Sequence, residues 1–238
     1  MFSIPFCPTH CTYCSFPANR LSKDRGELAS YLQTLQFEIR AAGRLMDKFA
    51  LVPEIVYIGG GTLTILMPQE MNNLIEEIKN SFPWQECREF TVEAGRVDTL
   101  SREMFEVLRK CGVNRLSINP QTMQDSTLAR IGRSHSAAEV QHIYQLARKF
   151  SDWIINMDLI LGLPGESLGD VQDTLDQVAN LQPDNLTVHI LAIKRGSQEF
   201  ETGFKHKAAS EMEKMQELAA GTADLWGLKP FISIAKNE

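Results

Sequence analysis

Glu54-Ile-Val-Tyr-Ile-Gly-Gly-Gly-Thr62 is a short apolar, β-branched run that ends in three glycines. Such a run reads as a buried strand, and the glycines stop it. A few residues on, the stretch 69–82 places Met71, Leu74, Ile75 and Ile78 on one face of a helix. Strand, glycine turn and amphipathic helix make one βα unit, and the unit recurs along the chain. Met1–Phe6, Glu89–Glu93, Arg115–Asn119, Trp153–Ile160 and Asn185–Ile193 read as further strands. Helical patterns lie between and after them at 27–45, 101–111, 136–150, 168–181 and 210–226. The first carries Leu28, Leu32, Leu35 and Ile39 on one face. Ser101 and Glu103 open the 101–111 helix and Gly112 closes it. Pro230–Ala235 reads as one more strand. Short apolar runs alternating with amphipathic helices predict a parallel sheet. A closed barrel of this kind takes eight units and about 250 residues. About six units in 238 residues therefore predict an α/β fold, an open partial (β/α)6 barrel. A flat doubly wound sheet is the alternative.

Composition narrows the classes. The chain is 43% hydrophobic, enough for a sizeable core, and carries a net charge of -6. That balance argues against a general nucleic-acid binder, which is usually basic. No apolar run reaches the roughly 18 residues of a membrane span. With no secretory leader in evidence at the N-terminus, a cytoplasmic protein in a reducing compartment is expected. Both ends are abrupt, as in a core cut from a longer protein.

A second stretch carries the chemistry: Ile4-Pro-Phe-Cys-Pro-Thr-His-Cys-Thr-Tyr-Cys-Ser-Phe16. Cys7, Cys11 and Cys14 stand in the spacing C-x3-C-x2-C. Thiolates crowded on one loop serve as iron–sulfur or zinc ligands. Three thiolates on a cubane [4Fe–4S] cluster leave one iron open to a substrate or cofactor. A structural zinc site takes four ligands, with His10, Cys87 or Cys111 available as the fourth, though neither outlying cysteine belongs to a second C-x2-C pair. Disulfides fit poorly, since the count of 5 is odd and three of the five share one short loop.

Polar residues collect where the strands end. Gly59-Gly60-Gly61-Thr62 follows the second strand, Glu93 ends the third and Gln121 lies just past the fourth. Asp158 interrupts the apolar fifth strand, Gly162-Leu-Pro-Gly165 follows it, and Lys194 and Arg195 follow the sixth. Parallel α/β sheets bind ligands at the carboxyl ends of their strands, so these positions point to one shared site. The glycine run exposes backbone to a ligand or makes a plain turn; it lacks the Gly-Lys-Ser/Thr of a phosphate loop. A carboxylate such as Asp158 within an apolar strand needs a partner. His10, His135, His189 and His206 show no ligand spacing.

Together these residues resemble the radical S-adenosylmethionine (SAM) superfamily. Within it, Ser3-Ile-Pro-Phe-Cys7, Gly59-Gly-Gly-Thr-Leu-Thr64, Asn114-Arg-Leu-Ser117, Gln121 and Asp158-Leu-Ile-Leu-Gly-Leu-Pro-Gly-Glu166 are similar to the oxygen-independent coproporphyrinogen III dehydrogenases, the HemN-like proteins. Thr91-Val-Glu-Ala-Gly-Arg96, Ile131-Gly-Arg-Ser-His135 and Leu186-Thr-Val-His189 point to the HemZ-type branch. The resemblance runs from about residue 1 to residue 200.

It implies a single radical SAM core domain over 1–238, without the accessory domains of the family. It implies a [4Fe–4S] cluster on Cys7, Cys11 and Cys14, with SAM on the fourth iron. An electron from a donor such as flavodoxin or ferredoxin would break a carbon–sulfur bond and leave a 5′-deoxyadenosyl radical. The radical would take hydrogen from a propionate of a porphyrinogen substrate, which loses carbon dioxide and becomes a vinyl group. The activity implied is conversion of coproporphyrinogen III to protoporphyrinogen IX in anaerobic heme biosynthesis. Phe16 would lie near the adenine, and Gly60, Gly61 and Thr62 near the methionine end. Glu93, Gln121, Arg133 and Asp158 would hold the amino, ribose and carboxylate groups. Arg96, Lys194 and Arg195 would meet the acidic substrate. Some positions depart from the family pattern. Phe16 replaces a further cysteine, Met1 stands at the usual tyrosine, and Leu63 and Val97 stand where this branch has proline. A heme chaperone of the HemW type and another radical SAM activity such as methyl transfer are the competing readings.

Overall fold

The computed structural model describes residues 1–16 and 19–227; the strand expected over 230–235 lies outside the described residues. Six strands form one sheet: β1 (Phe2–Ile4), β4 (Ile55–Gly60), β5 (Glu89–Glu93), β6 (Arg115–Ser117), β7 (Ile154–Leu161) and β8 (Asn185–Ile190). Their order across the sheet is their order along the chain, and every neighbouring pair is parallel. A doubly wound sheet reverses direction at a switch point. This sheet never does, so it is a singly wound (β/α)6 barrel, left open because β1 and β8 are not paired with each other.

The outer layer follows from the same winding. Helices α1 (Gly26–Lys48), α2 (Pro68–Ser81), α3 (Arg102–Lys110), α5 (Ala137–Phe150), α6 (Leu168–Leu181) and α8 (Ala209–Leu225) pack each against the next in that sequence. Short helices α4 (Asp125–Arg130) and α7 (Gln198–Glu201) sit in the connections; no periodic pattern of that length announced them. The capping residues act as their chemistry dictates. The Ser101 hydroxyl accepts from the Met104 N–H at 3.2 Å, and Ser136 and Ser167 close capping boxes with Glu139 and Asp170. Of the apolar stripes of α1 and α2, Leu28, Met71, Ile75 and Ile78 are fully buried at 0% exposure, while Leu32 of the α1 stripe is half-buried. Further along the sheet Trp153, 1% exposed, packs against Phe105 of α3 with ring centroids 5.6 Å apart, and its indole N–H donates to the Val113 carbonyl at 2.7 Å.

The first strand departs from expectation. Met1–Phe6 does not run through: it breaks at Pro5 into β1 and a separate strand, β2 (Phe6–Cys7), which pairs with β3 (Asn19–Arg20). Proline has no N–H for a ladder and ends the pairing with β4. The break turns the chain out of the sheet, and the β2–β3 pairing closes the cysteine loop at its base, with the Asn19 N–H donating to Pro5 O at 2.8 Å. The fourth and sixth strands stop earlier than expected, at Ser117 and Ile190.

Candidate functional site

The cysteine loop lies over the carboxyl end of the sheet and is pinned from several elements. The Thr12 N–H donates to Ile131 O at 3.1 Å, the Thr9 hydroxyl to Gly132 O at 3.3 Å, and the Glu199 N–H to Thr12 O at 3.0 Å. Gly132 has φ +77, and a Cβ there would fall 2.8 Å from the His10 carbonyl oxygen, so only glycine lets the α4 end approach the loop this closely. All five cysteines are free thiols, and Cys7, Cys11 and Cys14 are half-buried. Among the described residues each of the three sulfurs has one donor. The Thr62 hydroxyl donates to Cys7 Sγ at 3.4 Å, the Phe16 N–H to Cys14 Sγ at 3.4 Å, and Arg96 Nη1 to Cys11 Sγ at 3.8 Å. Burial pushes the Cys7 thiol up.

Below the loop is a cavity of about 250 Å³. It is lined by Cys7, Cys11, Cys14 and Phe16 from the loop, by Gly60 at the end of β4 with Gly61 and Thr62 just past it, and by Glu93, Gln121, Arg133 and Asp158. The eleven residues that the resemblance assigned to the cluster and SAM thus meet at one place. Gly60 is held there by β1: at φ +125, its Cβ would sit 2.6 Å from Ile4 N. The Gly60 N–H donates to Glu93 Oε2 at 3.3 Å, while burial raises the Glu93 carboxyl above its ordinary range. Gln121 is in the left-handed region at φ +71, unusual for a residue with a side chain. The β7 backbone holds it so: its N–H donates to Asp158 O and its carbonyl accepts from Ile160 N, both at 2.9 Å. Asp158 Oδ1 accepts from Asn156 Nδ2 at 2.6 Å, the partner its place in an apolar strand required.

Tyr13, Gly95, Asn119 and His189 also line the cavity, and the sequence reading assigned them no role there. Tyr13 sits inside the cysteine motif, where its neighbours mask it. Its hydroxyl accepts from Arg133 Nη2 at 2.9 Å, and burial raises its pKa to about 12. Arg133 Nη1 donates to Gly95 O at 2.8 Å. Arg133 Nε and Asn119 Oδ1 are buried without a hydrogen-bond partner. Arg96, expected to meet substrate, lines the cavity too, but from under the cysteine loop, with its side chain 4% exposed and paired with Asp98. Lys194 and Arg195 are exposed beyond β8 and do not line the cavity.

Residues 1–178 match the sequence family described as the radical SAM superfamily. The chain belongs to this superfamily. It is 40% identical over 231 residues to the oxygen-independent coproporphyrinogen-III oxidase-like protein HemZ of Bacillus subtilis, an alignment covering 96% of this chain and 46% of that protein. It is 30% identical over 237 residues to the heme chaperone HemW of the same organism, covering 96% of this chain and 60% of HemW. The chain therefore spans about half the length of these curated relatives. Among solved structures, coproporphyrinogen III oxidase (HemN) of Escherichia coli superposes with a TM-score of 0.85 at 23% identity, over 95% of this chain and 52% of that one. This likeness speaks for the fold.

The cofactors of the superfamily are a [4Fe–4S] cluster and SAM, and the donors on this chain fit both. Three free thiols on one pinned loop suit a cubane with one open iron. Among the described residues no three His, Cys, Asp or Glu groups converge on a single metal ion. A cubane makes no such demand, because each thiolate takes a different iron. SAM carries an ammonium, a carboxylate, ribose hydroxyls and a sulfonium. Glu93 and Asp158 offer anions, Arg133 a cation, and the unpartnered Arg133 Nε and Asn119 Oδ1 a donor and an acceptor. No helix among the described residues is long and apolar enough to cross a membrane.

Proposed function

We propose that residues 1–238 are the radical SAM core of an oxygen-independent coproporphyrinogen III dehydrogenase, converting propionate side chains of a porphyrinogen to vinyl groups. The observation that carries the cofactor half is the gathering of Cys7, Cys11 and Cys14 with Gly60, Thr62, Glu93, Gln121, Arg133 and Asp158 around one cavity. The substrate half is supported by the 40% identity to HemZ.

When bound, the cluster and SAM supply one-electron cleavage of a carbon–sulfur bond and abstraction of a hydrogen atom from substrate. The chain's own residues hold and orient. Cys7, Cys11 and Cys14 would bind three irons as thiolates, leaving the fourth open. Glu93 and Asp158 would accept hydrogen bonds from the ammonium and ribose of SAM, and Gln121, locked by the β7 ladder, would add its amide. Arg133 Nη1 and Nη2 are held by Gly95 O and the Tyr13 hydroxyl, while Nε has no partner among the described residues and would meet the carboxylate. Gly60 and Gly61 would bring bare backbone to the methionine end. Phe16, 49% exposed at the rim, would cover the adenine. A low-potential donor of the flavodoxin or ferredoxin class would supply the electron.

The test is anaerobic reconstitution with iron and sulfide, followed by EPR of the reduced protein with and without SAM. A [4Fe–4S]+ signal that changes on adding SAM, and that Cys11→Ala abolishes, supports the cofactor reading; zinc in place of iron, or a spectrum indifferent to SAM, overturns it. Coproporphyrinogen III is then added with SAM and reductant. 5′-Deoxyadenosine and vinyl-bearing product support the dehydrogenase. The 30% identity to HemW, over 96% of this chain, favours a heme chaperone as the second reading, marked by stable heme binding without turnover. S-adenosylhomocysteine would mark methyl transfer.

A further inference from the structure

Among the described residues two of the three cysteine sulfurs accept from neutral donors, the Thr62 hydroxyl and the Phe16 N–H, and only Cys11 accepts from a cation, Arg96. The cation is built in. Arg96 is 3% exposed and all three of its guanidinium nitrogens are engaged. On one edge Nε and Nη2 grip Asp98 Oδ1 and Oδ2 at 3.0 and 2.9 Å, a bidentate pair, and Nη2 also reaches Ser134 Oγ at 3.5 Å. On the opposite edge Nη1 donates to Thr9 Oγ1 at 2.9 Å and faces Cys11 Sγ at 3.8 Å. The guanidinium therefore stands between the carboxylate and the sulfur. Asp98 is fixed in turn by a short 3₁₀ turn, Val97–Thr99, whose Thr99 hydroxyl donates back to Arg96 O at 2.9 Å.

We propose that Arg96, oriented by Asp98, is a positioning residue that raises the reduction potential of a cluster held by Cys7, Cys11 and Cys14; this rests on the cofactor reading above. A [4Fe–4S]2+ core with three thiolates carries a net charge of 1−, and one electron from an external reductant makes it 2−. A buried cation close to one of the sulfurs stabilises the more negative state more, because little water intervenes to screen it. Hydrogen bonds to cluster sulfurs act in the same direction. The Asp98 carboxylate, on the far edge, opposes this more weakly. The two charges therefore act with opposite signs, and a purely structural role for the pair predicts no such opposition.

The experiment is an EPR-monitored redox titration of reconstituted wild type, Arg96→Gln and Asp98→Asn, with iron and sulfide content measured in parallel. Arg96→Gln is expected to disfavour reduction at least tenfold, about 59 mV for one electron, and Asp98→Asn to favour it. Equal potentials in all three proteins, or shifts of the same sign, overturn the proposal while leaving the cofactor reading intact. Wild type that forms no cluster overturns both. Should Arg96→Gln hold less iron than wild type, Asp98→Asn decides alone, since it keeps the guanidinium: a raised potential supports the proposal and an unchanged one overturns it.

Discussion

Replacing Glu166 with glutamine should make folding stability less dependent on pH, and the structure sets the size of the effect. Glu166 follows the Gly162–Gly165 turn after β7 and is 2% exposed. One carboxylate oxygen accepts from the Thr122 hydroxyl, and the other is buried without a partner. Burial raises its pKa from 4.5 to about 7, with Asp170 adding to the rise and Thr122 and Lys207 opposing it. The sign follows directly. The folded state holds its proton more tightly than the unfolded chain, so this group's full contribution to stability is present below pH 4.5 and is lost as pH climbs through about 7. From 4.5 to about 7, at about 1.36 kcal/mol per pH unit, the loss is about 3 kcal/mol. Glutamine resembles the protonated acid and cannot ionise. Urea unfolding of both proteins should find Glu166→Gln near wild type around pH 5 and more stable by about 3 kcal/mol around pH 8. A stability difference that stays the same at the two pH values would refute the reasoning. Because Thr122 follows Gln121, a cavity residue, cofactor retention in wild type should also weaken toward alkaline pH.

Two other substitutions test the frame of the site. Gly60→Ala places a methyl 2.6 Å from Ile4 N at φ +125, so β1 must shift; a cost of about 1–3 kcal/mol in urea unfolding is expected, with reduced iron uptake because Cys7 follows β1 by three residues. Trp153→Phe removes the indole donor and leaves the buried Val113 carbonyl unpaired; a loss of about 1–3 kcal/mol in the same measurement, with iron uptake unchanged, is the expected outcome.

Much of this protein was legible before any fold was drawn. Strand and helix periods are local, so the six βα units, the capping roles of Ser101 and Gly112, and the placing of Glu93 at a strand end, Gly60 beside one and Asp158 within the fifth strand followed from neighbouring residues alone. The cysteine spacing likewise carried its chemistry within eight residues of chain. Winding was another matter: an open barrel and a doubly wound sheet have the same alternation of elements and differ in strand order, which depends on how distant units pack. The split of the first strand turned on whether Pro5 could stay in the ladder. Arg96 read as a free cation for an acidic substrate. Its contact with Thr9, 87 residues away, and the Tyr13–Arg133 hydrogen bond, spanning 120 residues, exist only once the sheet brings its strand ends together. Burial decided the rest, since the same carboxyl titrates near 4.5 in an unfolded chain and near 7 at Glu166, where the fold has removed the water.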